Sequence, residues 1–573
     1  MLGETASQTD PALMAILANR LESIARQMAH TLHRTARSGL INAARDLSCC
    51  ILTADHELVS EAESLPSHVL VGPDIMSRWL KQWHPNVRRG DAFLHNSPYH
   101  GNSHAADHTM MIPVVDEEGA HQFTVIAKAH QADIGNSKPT SYFSAARDVY
   151  EEGALIFPGV QVQRDYQDID DIVRMCRVRI RVADQWWGDY QALVGAGRIG
   201  ERLLLELARE IGWNALKQHC ANWFDYSERR IDAALRKLPT GSASATSTHD
   251  PFPGTPADGV TIKVGVQVSA GAGQIEVDLR DNPDCLPNGM NVTEANASSA
   301  VMIGIFSSLG ETVPRNAGSY RRIKILLRED CCVGGPRHPA SCSLSTTNLA
   351  SKIGNATQRA IATLANGFGL AESGTIVPAS MAVISGRDRR YGDQPFINSL
   401  FLMHTGGPGA PHADAWLTTV HIGDLGLCYL DSVEIDELRY PIRVLGRGII
   451  PDSEGAGKFR GAPGGFCEYG PIDSPIEAWF ASDGSINAPL GVRGGLPGGC
   501  SAQFKRGKNG ALSKLDPCGG VVLEPGETIV AYCCGGGGYG HPRERDRQRV
   551  LEDVSEGWIT KERAREVYDV DTD

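Results

Sequence analysis

The chain has 573 residues, 42% of them hydrophobic, with a formal net charge of -13 and a pI near 5.8. Its length exceeds what one hydrophobic core normally serves, so about two to four domains or lobes are predicted. The acidic balance and the lack of a long Lys/Arg block exclude a general nucleic-acid binder. The first residues lack a charged segment followed by an apolar core, and no stretch reaches eighteen uninterrupted apolar residues, so no membrane partner and a cytoplasmic location are expected. Fourteen cysteines are scattered over the chain, including the adjacent pairs Cys49–Cys50, Cys331–Cys332 and Cys533–Cys534, with no C-x-x-C pair; free thiols in a reducing compartment fit this pattern.

From Asp10 and Pro11, a cap and a first helical position, Leu13, Leu17, Leu21, Ile24, Met28 and Leu32 recur at helical spacing and predict an amphipathic opening helix. "RDLSCCILTADHELVS" from Arg45 reads as a hairpin turning near Asp55. "GDAFLH" from Gly90 is strand-like, and "TMMIPVV" and "FTVIAKAH" are expected to pair across the turn "DEEG". Between Asp184 and Pro239 the spacing becomes helical and predicts a helical layer or an arm for a partner. Residues 240–259, rich in Ser, Thr, Pro and Gly, are read as a linker or loop between an N-terminal lobe (1–239) and a C-terminal lobe (260–573). "VTIKVGVQVSA" and "GQIEVDLR" then form an antiparallel hairpin, and the Gly-rich region 406–540 predicts short strands on many turns before one final helix from Glu544 onward. The fold class expected is α+β, a multi-lobed chain with mixed, largely antiparallel sheets and a helical layer.

The stretch Asn96–His108, "NSPYHGNSHAADH", holds three histidines and an aspartate. His104 and Asp107, three residues apart, present an imidazole and a carboxylate from one turn, and His130 arrives from the adjacent strand. Asp133 or His108 would add a ligand or an acceptor fixing an imidazole. Two imidazoles and a carboxylate leave positions open for water, as a catalytic metal needs. Spacing alone leaves open a second reading as surface or loop histidines.

"SEGAGKFRG" has Phe459 where a phosphate loop needs a hydroxyl residue, so it reads as a Gly-rich turn. "CCGGGGYGHP" from Cys533 is either an anion cradle or a close-packed turn. "HTGGPGAPHADA", with His412, Asp414 and later His421, is a second His-rich loop that could contact substrate. Trp186 and Trp187 read as packing or interface anchors rather than a ligand box.

Six segments resemble, in order, the hydantoinase B/oxoprolinase family: "RDLSCCILTADHELV", "GDAFLHNSPYHGNSHAADHTMMIPV", "AKAHQADIG", "ARDVYEEGALIFPGVQV", "RYPIRVLGRGIIPDSEGAGKFRGAPGG" and "GGGGYGHPRERDRQRVLEDVSEGWIT". That family comprises the B-type subunits of ATP-dependent hydantoinases, 5-oxoprolinases and caprolactamase, with acetone and acetophenone carboxylase subunits more distant. The resemblance implies a divalent metal, Zn2+ or else Mn2+, held by Asp46, His104, Asp107 and His130. It further implies an A-type subunit that binds ATP and Mg2+, an A2B2 heterotetramer, and a cyclic-amide substrate, with bicarbonate involved in some members. The alternative it carries is a ketone-carboxylase subunit. Two positions depart from the family pattern: Leu47 replaces an aromatic residue and Ser97 the Asp of "NDPY".

Overall fold

Apolar runs between Leu47 and His130 build the centre of a seven-stranded sheet, seen in a computed structural model that describes residues 11–62, 64–310, 312–374, 377–416 and 428–572. Its strands are β1 (Leu47–Thr53), β2 (Leu58–Ala62), β3 (Ala92–His95), β4 (Asp107–Val115), β5 (His121–His130), β6 (Val160–Arg164) and β7 (Gln167–Asp168). They lie in the order β2-β1-β5-β4-β3-β6-β7, antiparallel throughout. The predicted hairpin β1–β2 and the predicted β4–β5 pair are both present.

Both faces of this sheet are covered, so β4 reads as an almost unbroken apolar run rather than an alternating one. On one face lie helices Pro11–Thr35, Ala183–Ile211 and Trp213–Leu235, whose Leu21, Met28, Leu193, Leu204 and Phe224 pack with Ile51, Ile112 and Val125. On the other, Cys50, Phe93, Met111 and Ile126 meet Val69, Met76 and Leu80. The opening helix buries Leu17, Leu21, Ile24, Met28 and Leu32 as its spacing predicts, whereas Leu13 in its first turn stays 51% exposed. Trp186 is buried and stacked on Tyr190, a packing role.

The region expected to be a linker needs correcting. Gly241–His249 is a strand, β8, which pairs with β9 (Val260–Ser269) from Gly241↔Val268 to His249↔Val260. β8 is an edge strand with half-exposed alternating side chains, so small Ser, Thr and Ala residues suffice and its composition mimics a loop. β10 (Gln274–Asp278) follows in the predicted antiparallel hairpin, and β11 (Ile323–Leu326) joins it in parallel. Helices Glu294–Ser308 and Asn348–Leu364 cover this sheet, and the core there draws on residues from Leu40 to Cys518, so packing continues across the expected boundary. Two further antiparallel sheets, of four and five strands, are built from residues 383–532; two strands of the first, Val383–Asp388 and Gln394–Ser399, precede the Gly-rich region. The mixed α+β class holds.

The segment after Cys534 is a close-packed chain, not an anion cradle. Gly535, Gly536, Gly537 and Gly538 donate in turn to the carbonyls of Gly499, Ala462, Glu372 and Leu496 at 2.8–3.0 Å. A Cβ on Gly535 or Gly536 would collide with the Ser453 or Gly407 carbonyl oxygen, which is why only glycine fits. The final helix is also two helices, Arg547–Ser555 and Lys561–Tyr568, broken where Gly557 takes φ 75° and Thr560 caps the second. All fourteen cysteines are free, and no helix among the described residues is long and apolar enough to cross a membrane.

Candidate metal centre

Three strands meet at one end of the first sheet, and that end carries the predicted ligands. β5 finishes at His130, β4 begins at Asp107, and Asp46 directly precedes β1. Asp107 and His130 are register partners, and the His130 amide donates to the Asp46 carbonyl at 3.2 Å. Residues far apart in sequence therefore become neighbours because β5 sits between β1 and β4. Arg45, at φ 60°, makes the turn that delivers Asp46, and its guanidinium lies 4.2 Å from the Tyr429 ring centre.

His104 Nε2 stands 2.9 Å from Asp107 Oδ1 and 3.2 Å from His130 Nδ1, which is itself 3.1 Å from Asp107 Oδ1. Asp46 Oδ2 lies 3.9 Å from His130 Nδ1. All four side chains are buried, and the ligand atoms of His104, Asp107 and His130 lie within 4.8 Å of one another.

The donor set fits a divalent cation. His104 Nδ1 is 2.8 Å from the Ser343 carbonyl, which only accepts, so the ring proton sits there and Nε2 offers a lone pair to the shared point. His130 is likewise engaged at Nε2 by Ser141 Oγ at 2.8 Å, leaving Nδ1 inward. Ligand atoms around a tetrahedral ion with bonds near 2.0–2.1 Å stand roughly 3.3 Å apart, close to the separations seen. Tyr142 packs against both imidazoles, 5.8 and 5.0 Å between ring centres.

Burial and neighbouring charges oppose each other across the site. Desolvation alone would raise the Asp107 carboxyl, yet His104 and His68 together hold it well below the usual carboxylate range. Burial works against the His104 imidazolium, but Asp107 outweighs it and the net shift is upward. Burial lowers His130, and it lowers Lys128 to about 8 against the attraction of Asp107.

Two side chains at the site escape the sequence reading. His68, in the one-turn helix Pro66–Val69, places Nε2 3.3 Å from Asp107 Oδ2 and 3.5 Å from Asp46 Oδ1. Lys128 reaches the same region, Nζ 3.4 Å from the His68 carbonyl. Its position two residues before His130 on a strand was a usable signal, since alternate residues share a face.

Other expectations are corrected. His108 follows Asp107 on β4 and so points to the opposite face, where it meets Phe157 and Trp186. Asp133 is held by Arg181 at 3.0 Å and by the Gly135 amide, away from the ligands. Asp414, in the second His-rich loop, pairs with Arg545 at 2.6 Å; His421 lies outside the described residues. Of the two family departures, Leu47 is core and Ser97 Oγ contacts His100 Nδ1 at 2.7 Å.

The beta subunit of caprolactamase from Pseudomonas jessenii is 27% identical over 566 residues, 98% of this chain and 96% of that one. The crystal structure of ATP-dependent caprolactamase from the same organism superposes with a TM-score of 0.89 at 24% identity, covering 99% of this chain and 97% of that one. 5-Oxoprolinase 1 of Arabidopsis thaliana is 25% identical over 562 residues, 93% of this chain but 42% of the relative. Acetone carboxylase in its nucleotide-free structure shares the fold, with a TM-score of 0.86 at 17% identity over 98% of this chain and 80% of that one. The sequence profile of Hydantoinase B/oxoprolinase matches residues 10–542, nearly the whole chain, and the protein belongs to that family.

Proposed function

We propose that this chain is the metal-binding B subunit of an ATP-dependent cyclic-amide hydrolase of the hydantoinase, oxoprolinase or lactamase type. The observation that carries the reading is the convergence of His104, Asp107 and His130, with Asp46 beside them, all buried at one sheet end. Zn2+ is the first choice, because two imidazoles with carboxylates suit a four- or five-coordinate ion; Mn2+ is second because carboxylates are hard donors.

An unstrained cyclic amide is a poor electrophile, and ATP-dependent activation by an A-type partner overcomes this. Caprolactamase is named by subunit, and the chain spans 42% of the Arabidopsis 5-oxoprolinase; both support a partner, which we place in an A2B2 assembly in the cytoplasm. Bound at the four ligands, a divalent ion supplies Lewis acidity to a carbonyl or phosphoryl oxygen. The chain's own groups do the rest. Ser343 and Ser141 hold the imidazoles with their lone pairs inward, the burial of all four ligands excludes bulk water, and the Lys128 ammonium adds positive charge beside the carboxylates.

The test is to co-purify the chain with its A-type subunit and assay hydantoins, 5-oxoproline, lactams and ketones, with and without ATP and bicarbonate. Ring-opened amino acid formed with ATP consumption supports the proposal. Bicarbonate-dependent carboxylation of a ketone, with no cyclic amide opened, would overturn it in favour of the carboxylase reading. The isolated chain should bind no ATP in a calorimetric titration.

A further inference from the structure

His68 stands in an unusual relation to the two carboxylates. Each aspartate turns one oxygen toward the imidazoles: Asp107 Oδ1 toward His104 and His130, and Asp46 Oδ2 toward His130. Their other oxygens, Asp107 Oδ2 and Asp46 Oδ1, both face His68 Nε2, at 3.3 and 3.5 Å. Ser103 Oγ also donates to Asp107 Oδ2.

The state of the His68 ring follows from its neighbours. Ser48 Oγ accepts the Leu65 amide at 2.9 Å, so its own hydrogen is available to His68 Nδ1, 3.2 Å away. Nδ1 then accepts, and the ring proton of neutral His68 sits on Nε2, between the two carboxylates. A nitrogen carrying that proton has no lone pair for a metal. The ring is buried, in the one-turn helix whose carbonyl at His68 also receives Lys128 Nζ, so it is held in place from three sides.

We propose that His68 is a positioning residue that shares its Nε2–H between Asp46 and Asp107 and thereby restricts each to one metal bond. A free carboxylate can bind an ion through both oxygens; two such aspartates beside two imidazoles would fill a six-coordinate shell. Engaging the outer oxygens keeps the shell at four protein bonds and leaves room for substrate. His68 thus sets coordination number, and through it the preference between a four-coordinate ion such as Zn2+ and a six-coordinate one such as Mn2+. This inference rests on the reading that Asp46, His104, Asp107 and His130 hold a metal.

The experiment uses the purified full-length chain stripped of metal and titrated with Zn2+ and with Co2+, whose visible absorption reports coordination number. His68→Gln keeps an N–H near the Nε2 position, and His68→Leu removes it. His68→Leu should bind Zn2+ about ten- to a hundredfold more weakly and give the weak Co2+ absorption of a higher-coordinate ion. His68→Gln should restore the wild-type spectrum and most of the affinity. Ser48→Ala frees the tautomer by a second route and should alter the Co2+ spectrum too. Unchanged affinity and spectrum in His68→Leu, or equal damage in His68→Gln and His68→Leu, would overturn the proposal. So would a metal-loaded crystal structure with His68 Nε2 bonded to the ion. A wild-type chain that binds neither metal would instead sink the metal reading itself, and melting of the metal-free variants separates both from misfolding.

Discussion

Asp107 and His130 face each other as register partners on β4 and β5, with Oδ1 and Nδ1 3.1 Å apart, whereas His108, the next residue after Asp107, shares none of this geometry. A strand turns successive side chains to opposite faces, so one step along β4 passes from the candidate ligands to the helix-packed core.

Metal content should follow that step. Wild-type protein is expected to carry about one divalent ion per chain. His104→Ala should lose it, while His108→Ala should keep it despite the destabilisation of a core truncation, on the order of 2–4 kcal/mol. Elemental analysis of the three proteins decides: full metal in His104→Ala, or loss confined to His108→Ala, would show the loop to be misassigned. Because the ligands join separate strands, chelation should also lower the melting temperature, by the equivalent of about 3 kcal/mol when free metal exceeds the dissociation constant roughly a hundredfold.

A second carboxylate pair makes stability depend on pH. Burial and the charge of Asp431 push the Asp436 carboxyl up to about 8, and burial raises Asp431 to about 6. The native pair binds protons that the unfolded chain releases near pH 4, so the associated stability is fully present below about pH 4 and is lost as pH rises from there to about 8. Asp436→Asn keeps the pair neutral at one side and should flatten this slope, gaining on the order of 2 kcal/mol at pH 8.5 and little at pH 5. Urea melts at the two pH values measure it; a uniform effect at both would contradict the assignment.

Arg545 is buried between Asp414, at 2.6 Å, and Asp553, at 2.8 Å, and Arg460 also pairs with Asp553 at 3.0 Å. Arg545→Leu leaves Asp553 with Arg460 alone and Asp414 with the longer Arg549 contact at 3.4 Å, so it should cost about 3 kcal/mol. Metal titration should be unaffected, since none of these groups touches the candidate ligands. A denaturant midpoint near wild type would show that water relieves the site.

Two glycines should respond in opposite directions. Gly195 lies within helix Ala183–Ile211 with open space around its would-be Cβ, so Gly195→Ala should stabilise by up to about 1 kcal/mol. At Gly535 the same change meets the Ser453 carbonyl, and soluble protein should be lost. Expression yield and thermal melts of both variants are the check.

Much of the N-terminal half was legible because its signals are local. Leu17, Leu21, Ile24, Met28 and Leu32 repeat at helical spacing, and the β4 and β5 runs flank an obvious turn. Asp46 was joined to the cluster only through family resemblance: what brings it there is strand order, with β5 between β1 and β4, and no spacing encodes that. His68 was invisible for the same reason, since "LPSHVL" has neither period nor pattern and approaches only through tertiary packing. β8 misled because an edge strand needs little apolar surface, and the glycine run admitted two readings until its neighbours were in view.

The glycine run ties together turns drawn from well-separated stretches of the chain. Its amides are answered by carbonyls at Glu372, Ala462, Leu496 and Gly499, all earlier in the chain. Contacts so distant in sequence form late, because loop entropy is lost before any bond compensates it. Those turns also bond one another directly, Leu496 N–H to the Ala456 carbonyl and Gly499 N–H to that of Ser453, and Gly535–Gly538 complete the set like a bolt through a row of hinges. A chain shortened before Gly535 keeps nearly all its apolar residues yet loses the element that locks this half together, and aggregation rather than partial activity is its natural fate.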